Sequence, residues 1–446
     1  MLPKSDNIAA VATAPGKGGI GVVRISGRDL VNIAASIIGK LPAPRRTVYT
    51  SFKDEEGAVI DQGLALFFPA PHSYTGEDVL ELQGHGGPAV LQLILQRCLE
   101  LGARLALPGE FTQRAFLNDK LDLAQAESVA DLIDATTSQA ARSAMRSLLG
   151  DFSRVIHQLV AQLIELRMLV EAMLDFPEEE LDLPDLSRRD HKLASIQAEL
   201  NKTLALAQQG SLLREGAHVA LIGQPNVGKS SLLNCLSGED VALVSEVPGT
   251  TRDLIRQSIQ ISGVPLHIID TAGLREAQDT VELMGIARTR NTIQKADVIL
   301  LMLDAKQGMS ADDKKIVDEL PATTPRLYIY NKVDLTEESP RIEQRDGKEF
   351  IYLSAKTSAG IDLLRNKLLA LIGWHQEAGV FMARERHVRA LLLAQQHLAR
   401  ASLEGARAEL FAEELRLAQE ALNNITGEFS SDDLLGEIFS RFCIGK

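Results

Sequence analysis

The sequence predicts a multidomain chain of α/β and α+β architecture: a mixed α+β segment at the front, an α-helical bundle domain, and a doubly wound α/β domain inserted into the helical one. Three observations predict it. In one stretch, apolar runs of strand length end four times on short polar motifs: Gly223–Ser231 after His218–Ile222, Asp270–Gly273 after Leu266–Ile269, Asn331–Asp334 after Leu327–Tyr330, and Ser354–Lys356 after Phe350–Leu353. Ligand-binding residues at the C-terminal ends of strands are the mark of doubly wound sheets. On both sides of that stretch apolar residues recur at three-to-four spacing, as at Leu159, Leu163, Leu166, Leu169 and Val170, which is the period of a helix. Before residue 118, short apolar runs alternate instead with glycine-rich turns.

The front segment, residues 1–118, opens with two strand-like runs, Ile8–Thr13 and Ile20–Ile25, around the turn Ala14–Gly19. Gly16, Gly18 and Gly21 match the GxGxxG dinucleotide fingerprint in form. The third glycine falls in a strand and no helix follows within the needed unit, so the match reads as a glycine hairpin. Leu64–Phe68 is a further strand; Ser73–Gly87, dense in polar groups and glycine, reads equally as a small-molecule pocket or a turn-rich loop. Pro88 opens an apolar-periodic helix to about Leu101, and Pro108–Lys120 reads as a loop running into a helix.

From about Leu121 to Leu174 the period is helical, and the acidic stretch Pro177–Pro184 breaks it as a solvated hinge. Helix resumes over Arg189–Gln209, then from Arg384 almost to the end. The economical organisation is one helical domain in two parts, 119–212 and 374–446, with the α/β domain at 213–373 inserted in it. Ser430 and Asp433 form an acidic variant of the capping box for a last helix that stops near Phe442, leaving Cys443 on a short tail. Inert burial and a thiolate favoured by Lys446 both remain open for that cysteine, and a terminal Lys does not suit prenylation.

At 446 residues there is room for two or three domains. No apolar run reaches the length of a membrane span, and Met1–Asp6 lacks the order of a signal peptide. Three cysteines are no disulfide framework, so a cytoplasmic setting is expected. A net charge of −13 argues against broad non-specific nucleic-acid binding. The cluster Arg384, Arg386, His387 and Arg389 reads as a solvated helix face, with an RNA contact as its alternative.

The motif chemistry points to a nucleotide. Gly223 and Gly228 let successive backbone N–H groups curl around phosphates at the start of a helix. Lys229 supplies a point charge, and the Ser230 hydroxyl is placed to ligate Mg²⁺. Asp270, at a strand end, can hold Mg²⁺ through water. The Asp334 carboxylate can take the two N–H donors of guanine, which adenine does not offer. The segment therefore resembles a small GTPase of the translation-factor type, specific for guanine. In Ras-like proteins a Gln follows the DxxG motif and orients the attacking water; here Leu274 stands there and cannot.

The whole chain resembles the MnmE (TrmE) family of tRNA-modification GTPases. The resemblance rests on Pro15–Gly27, Ser73–Gly87 and Pro108–Glu127 at the front, on the four nucleotide motifs, and on Thr426–Lys446 with its terminal Cys-Ile-Gly-Lys. It implies GTP contacts from Asn226, Val227, Gly228, Lys229, Ser230 and Ser231; from Ser245, Thr250 and Thr251; from Asp270 and Gly273; from Asn331, Lys332 and Asp334; and from Ser354, Ala355 and Lys356. It implies Mg²⁺ on Ser230 and Thr251, and a K⁺ ion on Asn226, Ser245, Val247 and Thr250 that supplies the charge an arginine finger would. Glu282 would orient the water as nucleotide-binding domains meet face to face. The family's front domain is tetrahydrofolate-binding-like and dimerises the protein. Arg24, Glu81 and Lys120 would contact a 5-formyl- or methylene-tetrahydrofolate, with Lys446 reaching in from the tail and Cys443 as a candidate nucleophile. The implied partners are a second copy, the FAD-binding flavoprotein MnmG (GidA) and tRNA, whose wobble uridine would gain an aminomethyl or carboxymethylaminomethyl group at C5. A ribosome-assembly GTPase of the Era or Der kind is the rival reading, and would need an RNA module with a GXXG loop that the flanking segments do not offer. A GTP-switched scaffold without chemistry of its own is the other.

Overall fold

The computed structural model describes residues 6–175, 183–237, 255–270, 296–321, 323–375, 379–405, 407–428, 432–440, 442 and 445. It divides into two compact units, the first made of residues 1–130, 147–196 and 393–446, the second of 131–146 and 197–392.

The first unit opens with a six-stranded sheet of β1 (Ile8–Val11), β2 (Gly18–Gly27), β3 (Val48–Lys53), β4 (Val59–Phe68), β5 (Asp78–Gly86) and β6 (Arg104–Leu105), in the order β3-β4-β5-β2-β1-β6. β1 and β2 pair antiparallel, so the glycine-rich turn is a hairpin and not a dinucleotide loop. Alternation along the strands sets the two faces. Val23, Ile25, Ala65, Phe67, Leu80 and Leu82 are buried on one face against α1 (Val31–Ile38) and α2 (Pro88–Glu100). Arg24 and Glu81 alternate to the other face, where α3 (Glu110–Leu117) brings Phe111 into a small cluster with Ile8, Ala10 and Ala106.

Helices follow: α4 (Leu123–Asp134), α5 (Ser138–Leu148), α6 (Asp151–Asp175) and α7 (Leu183–Glu215). The long helical run of the sequence is broken twice here. Thr137 caps α5 by accepting from Ala140 N at 3.1 Å, and Gly150, at φ +87, separates α5 from α6.

The second unit holds a seven-stranded sheet: β7 (Ala217–Gly223), β8 (Ile255–Ile261), β9 (Val264–Asp270), β10 (Val298–Asp304), β11 (Arg326–Asn331), β12 (Arg341–Arg345) and β13 (Lys348–Tyr352), in the order β12-β13-β11-β10-β7-β9-β8. The five inner strands run parallel and the two edge strands antiparallel. β10 is buried along Val298–Leu303, as an unbroken apolar strand covered on both faces must be. Separate apolar clusters on the two faces, one around Leu221, Leu300 and Ile329 and one around Ile222, Ile299 and Leu301, make the sheet doubly wound. Its helices include α8 (Lys229–Ser237), α9 (Ala311–Glu319) and α10 (Ile361–Leu371).

α11 (Glu385–Leu403), α12 (Ala408–Thr426) and α13 (Asp432–Ser440) complete the chain. In the first unit, α12 buries Phe411, Leu415, Ala418 and Leu422, and α6 buries Phe152, Ile156, Leu159 and Leu163. Arg167 of α6 donates to Gln419 of α12 at 2.7 Å. Among the described residues no helix is long and apolar enough to cross a membrane.

Candidate functional site

The second unit gathers its polar motifs at the C-terminal ends of β7, β10, β11 and β13. β7 ends at Gly223 and α8 starts at Lys229, so the Gly223–Lys229 turn lies at a helix N-terminus. Side chains are excluded from both glycines. A Cβ at Gly223 would lie 2.5 Å from Met302 O, and one at Gly228, whose φ is +101, would lie 2.3 Å from Asn331 Nδ2. Asn226 is left-handed at φ +62 and exposed. Lys229 Nζ donates to Gly223 O at 2.6 Å and Gln224 O at 3.0 Å, folding the side chain over the loop. Ser230 and Ser231 are exposed in the first turn of α8.

Asn331 joins three of the motifs. It is buried at 3% exposure. Its Nδ2 donates to Val227 O at 2.7 Å and its Oδ1 accepts from Ala355 N at 2.9 Å. Val227 and Ala355 are themselves buried. Next to it, Ser354 Oγ donates to Asp334 Oδ1 at 2.6 Å, orienting a carboxylate that is otherwise exposed. Lys356 is exposed beside them. Lys332, left-handed at φ +72, sends Nζ to Asp304 Oδ2 at 2.7 Å. Burial would raise the Asp304 carboxyl, but the Lys332 ammonium and the N–H groups of Lys306 and Gln307 outweigh it and hold the group below the usual carboxylate range. Asp304 is a residue that sequence reasoning missed: a lone acid after an apolar run gives no motif. Cys235, of α8, also supports this loop, its Sγ donating to Ala355 O at 2.7 Å.

Ser245, Val247, Thr250, Thr251, Gly273, Leu274 and Glu282 lie outside the described residues, as does the side chain of Asp270, whose backbone ends β9. Cys443 and Lys446 also lie outside them.

In the first unit Arg24 and Glu81 face each other across β2 and β5 and form an ion pair, with Nε and the terminal nitrogen each 2.9 Å from Glu81 Oε1. The Arg24 guanidinium lies 5.5 Å from the ring centroid of Tyr74 and 5.8 Å from that of Phe111, a cation–π geometry. Tyr74 OH is hydrogen-bonded to the buried Thr112 at 2.8 Å, and burial pushes its phenol up. Behind this lies a second polar layer absent from the sequence reading: Ser26, Thr75 and Glu77, then Arg114, which pairs with Glu77, Asp6 and the fully buried Glu110. Lys120 is exposed near Gly76, where a Cβ would lie 3.3 Å from its Cγ. Asn118 ties that segment to Thr75 O at 2.8 Å. The chain end reaches the same sheet. A Cβ at Gly445 would lie 2.3 Å from Val11 O, and one at Gly109 would lie 2.7 Å from Phe439 O. Phe439 and Phe442 are buried with Leu123 and Ala126.

The basic cluster at the start of α11 is a solvated face only in part. Arg384 pairs with the buried Asp131 at 2.7 Å and His387 is 2% exposed, whereas Arg389 is exposed to solvent beside Glu385.

Comparison with known proteins places this geometry. The MnmE helical domain pattern matches residues 123–443, and that of the GTP-binding protein TrmE N-terminus matches residues 7–120. The chain belongs to the MnmE family. It is 58% identical over 451 residues to a Nitrosomonas europaea protein and 59% identical over 454 residues to one from Nitrosospira multiformis, in both cases across 100% of each chain. It is 57% identical to one from Neisseria meningitidis, over 99% of this chain and 100% of that one. All three relatives are named tRNA modification GTPase MnmE. Among solved structures, an Era variant of Aquifex aeolicus bound to GDP and tetrafluoroaluminate aligns with 41% of this chain and 66% of that one, at 25% identity and a TM-score of 0.29, too low to carry weight.

Proposed function

We propose that the protein is a K⁺-stimulated, Mg²⁺-dependent GTPase of tRNA modification. As a cytoplasmic homodimer working with the FAD-containing flavoprotein MnmG, it installs an aminomethyl or carboxymethylaminomethyl group at C5 of the wobble uridine, with a tetrahydrofolate as one-carbon donor. The observation that carries the nucleotide reading is the Asn331 clamp, which draws the phosphate loop and the guanine motifs to one end of the sheet. Full-length similarity to proteins named tRNA modification GTPase supports the rest. The domain division 1–118, 119–212, 213–373 and 374–446 is part of the same proposal.

The described residues suit a guanine nucleotide. The side-chain-free cradle at Gly223 and Gly228, with Lys229 across it, suits a triphosphate. Asp334, held by Ser354, suits the N–H edge of guanine. Ser230 and Thr251 would hold Mg²⁺, and Asn226, Ser245, Val247 and Thr250 would hold K⁺. Each ion supplies positive charge where phosphate charge develops. Glu282 would orient the water that Leu274 does not. At the front, Glu81 offers a carboxylate to the guanidine-like edge of a folate's pterin with Arg24 beside it, while Lys120 and Lys446 would offer cations to the folate's glutamate carboxylates. Cys443 would act from the tail.

Nucleoside mass spectrometry of tRNA from cells lacking the gene tests the reading. Loss of C5-modified wobble uridines, restored by the wild-type chain, is expected; unchanged nucleosides with no second enzyme making them overturn it in favour of ribosome assembly. Rescue with Cys443→Ser tests the thiol. Hydrolysis should be faster in K⁺ than in Na⁺, and slow in Glu282→Ala with GTP binding intact; equal rates reject the respective role. Calorimetry with 5-formyltetrahydrofolate should lose its signal in Arg24→Ala.

A further inference from the structure

The nucleotide-binding unit includes a piece of the helical region. Residues 131–146, the end of α4 and most of α5, fall within it. Ala140 and Ala144 of α5 share one apolar cluster with Ile259, Ile261, Val264 and Leu266 of the β8–β9 hairpin. The polar contact is made at the hairpin turn. Thr137 Oγ1 donates to Gly263 O at 2.9 Å while accepting from Ala140 N at 3.1 Å, so one hydroxyl, on a residue 8% exposed, both caps α5 and holds the turn. Gly263 is at φ +80, and a Cβ there would lie 2.8 Å from Gln139 Cβ. The same segment is anchored on either side of this point. Asp131 accepts from Arg214 at 2.8 Å and Arg384 at 2.7 Å, and Ser143 O accepts from Met382 N at 3.2 Å.

The strands of this hairpin run toward the proposed metal ligands. β9 ends on Asp270, and β8 begins at Ile255, shortly after Thr251. From Gly263 to Asp270 the chain spans about 23 Å at strand rise. The two strands pair in unbroken register from Ile261↔Val264 to Gln257↔Ile268, with an irregularity before Ile255↔Ile269, and a register slip would turn every buried side chain outward. The turn and the strands as far as Ile268 therefore shift together, two residues short of Asp270.

We infer that Thr137 is a positioning residue for GTP hydrolysis. Its hydroxyl fixes the β8–β9 turn and, through the paired strands, the end of β9 that carries Asp270. The inference rests on the GTPase reading of that stretch. The same contact sets the relative affinity for GTP and GDP, and reciprocity between binding equilibria makes the nucleotide state felt in turn at the first turn of α5.

The test uses the full-length protein with GTP and Mg²⁺ in KCl. Thr137→Ser keeps both hydrogen bonds. Thr137→Asp keeps an acceptor that caps α5 but has no proton for Gly263 O and sets a negative charge against it. Thr137→Ser should stay within about twofold of wild type, and Thr137→Asp should lose about three- to tenfold in kcat with a smaller change in KM. Hydrogen exchange over residues 137–146 should differ between the GDP and GTP-analogue states in wild type and Thr137→Ser, and not in Thr137→Asp. Gly263→Ala, which presses on the same turn from the other side, should repeat the kcat loss and covers the case in which Thr137→Asp does not fold. Wild-type kcat in both Thr137→Asp and Gly263→Ala overturns the inference, as does an equal loss in Thr137→Ser. A wild-type protein that does not hydrolyse GTP refutes instead the reading on which the inference rests, whatever the variants do.

Discussion

Replacing Asn331 by Ala tests whether one buried amide organises the nucleotide site. The side chain makes two hydrogen bonds, to Val227 O at 2.7 Å and from Ala355 N at 2.9 Å, at a residue 3% exposed. Truncation leaves a carbonyl and an N–H, both on buried residues, without their partner. Each such group costs about 1–3 kcal/mol, so the arrangement that binds nucleotide loses about 2–6 kcal/mol. At about 1.4 kcal/mol per decade, GDP affinity should fall at least about thirtyfold. The assay is titration with a fluorescent GDP analogue, with circular dichroism and a urea melt showing that Asn331→Ala is still folded. Gly228→Ala gives an independent check. Its methyl would lie 2.3 Å from Asn331 Nδ2, on a backbone at φ +101, so it should displace the same amide. A folded Asn331→Ala that binds GDP within about threefold of wild type would refute the reasoning, because the penalty worked from the two bonds would then not reach the ligand.

Other outcomes follow from the same geometry. Asp334→Asn exchanges an acceptor for an N–H donor against the guanine edge; it should weaken GDP by on the order of a hundredfold or more and favour xanthosine diphosphate, as competition binding would show. Glu110→Ala strips a fully buried carboxylate from Arg104 at 2.7 Å and Arg114 at 3.0 Å; Arg114 keeps Asp6 and Glu77 and Arg104 keeps Asp6, so the lost bonds should lower unfolding free energy by about 1–3 kcal/mol, measured in urea. The depressed pKa of Asp304 means that its bond to Lys332 stabilises fully above the ordinary carboxylate value and is lost as pH falls through the folded-state value. Asp304→Asn should therefore be less stable than wild type at pH 7, with the gap beginning to narrow below about pH 4; a gap that does not narrow at all between pH 7 and pH 3 would rule this out.

The phosphate loop was legible because its requirements are local. Gly228 needs an open Cβ position and a left-handed φ, Lys229 and Ser230 must open a helix, and a few consecutive residues say so. The clamp was not. Asn331 meets Val227 across 104 residues of sequence, and nothing near Asn331 announces that its amide serves the phosphate loop. Arg384 was misread for the same reason, its partner Asp131 being 253 residues away. α1 was missed because Leu30, at its N-cap, makes no side-chain cap bond and so leaves no start signal. The helical period over Leu121–Leu174 runs straight through Thr137, whose cap on α5 and tertiary bond to Gly263 show only in the fold.

The front site shows why removing one residue there is not a simple subtraction. Alternation in β2 and β5 sends Arg24 and Glu81 to the same face, where they neutralise each other at 2.9 Å with side chains only 24% and 16% exposed. Both Arg24 bonds go to Oε1, while Oε2 has the Gln83 amide at 3.5 Å. In this arrangement Oε2 is the oxygen available to a ligand's N–H groups, and Arg24 holds the carboxylate oriented for them. Arg24→Ala removes a cation from the ligand and, at the same time, leaves Glu81 part-buried without its partner, a loss that has nothing to do with folate. Glu81→Gln keeps an oxygen for Arg24 and shape for the ligand but loses the charge. A large calorimetric loss in Arg24→Ala alone would therefore mark a collapsed pair, whereas comparable losses in both variants would mark a ligand that reads the carboxylate.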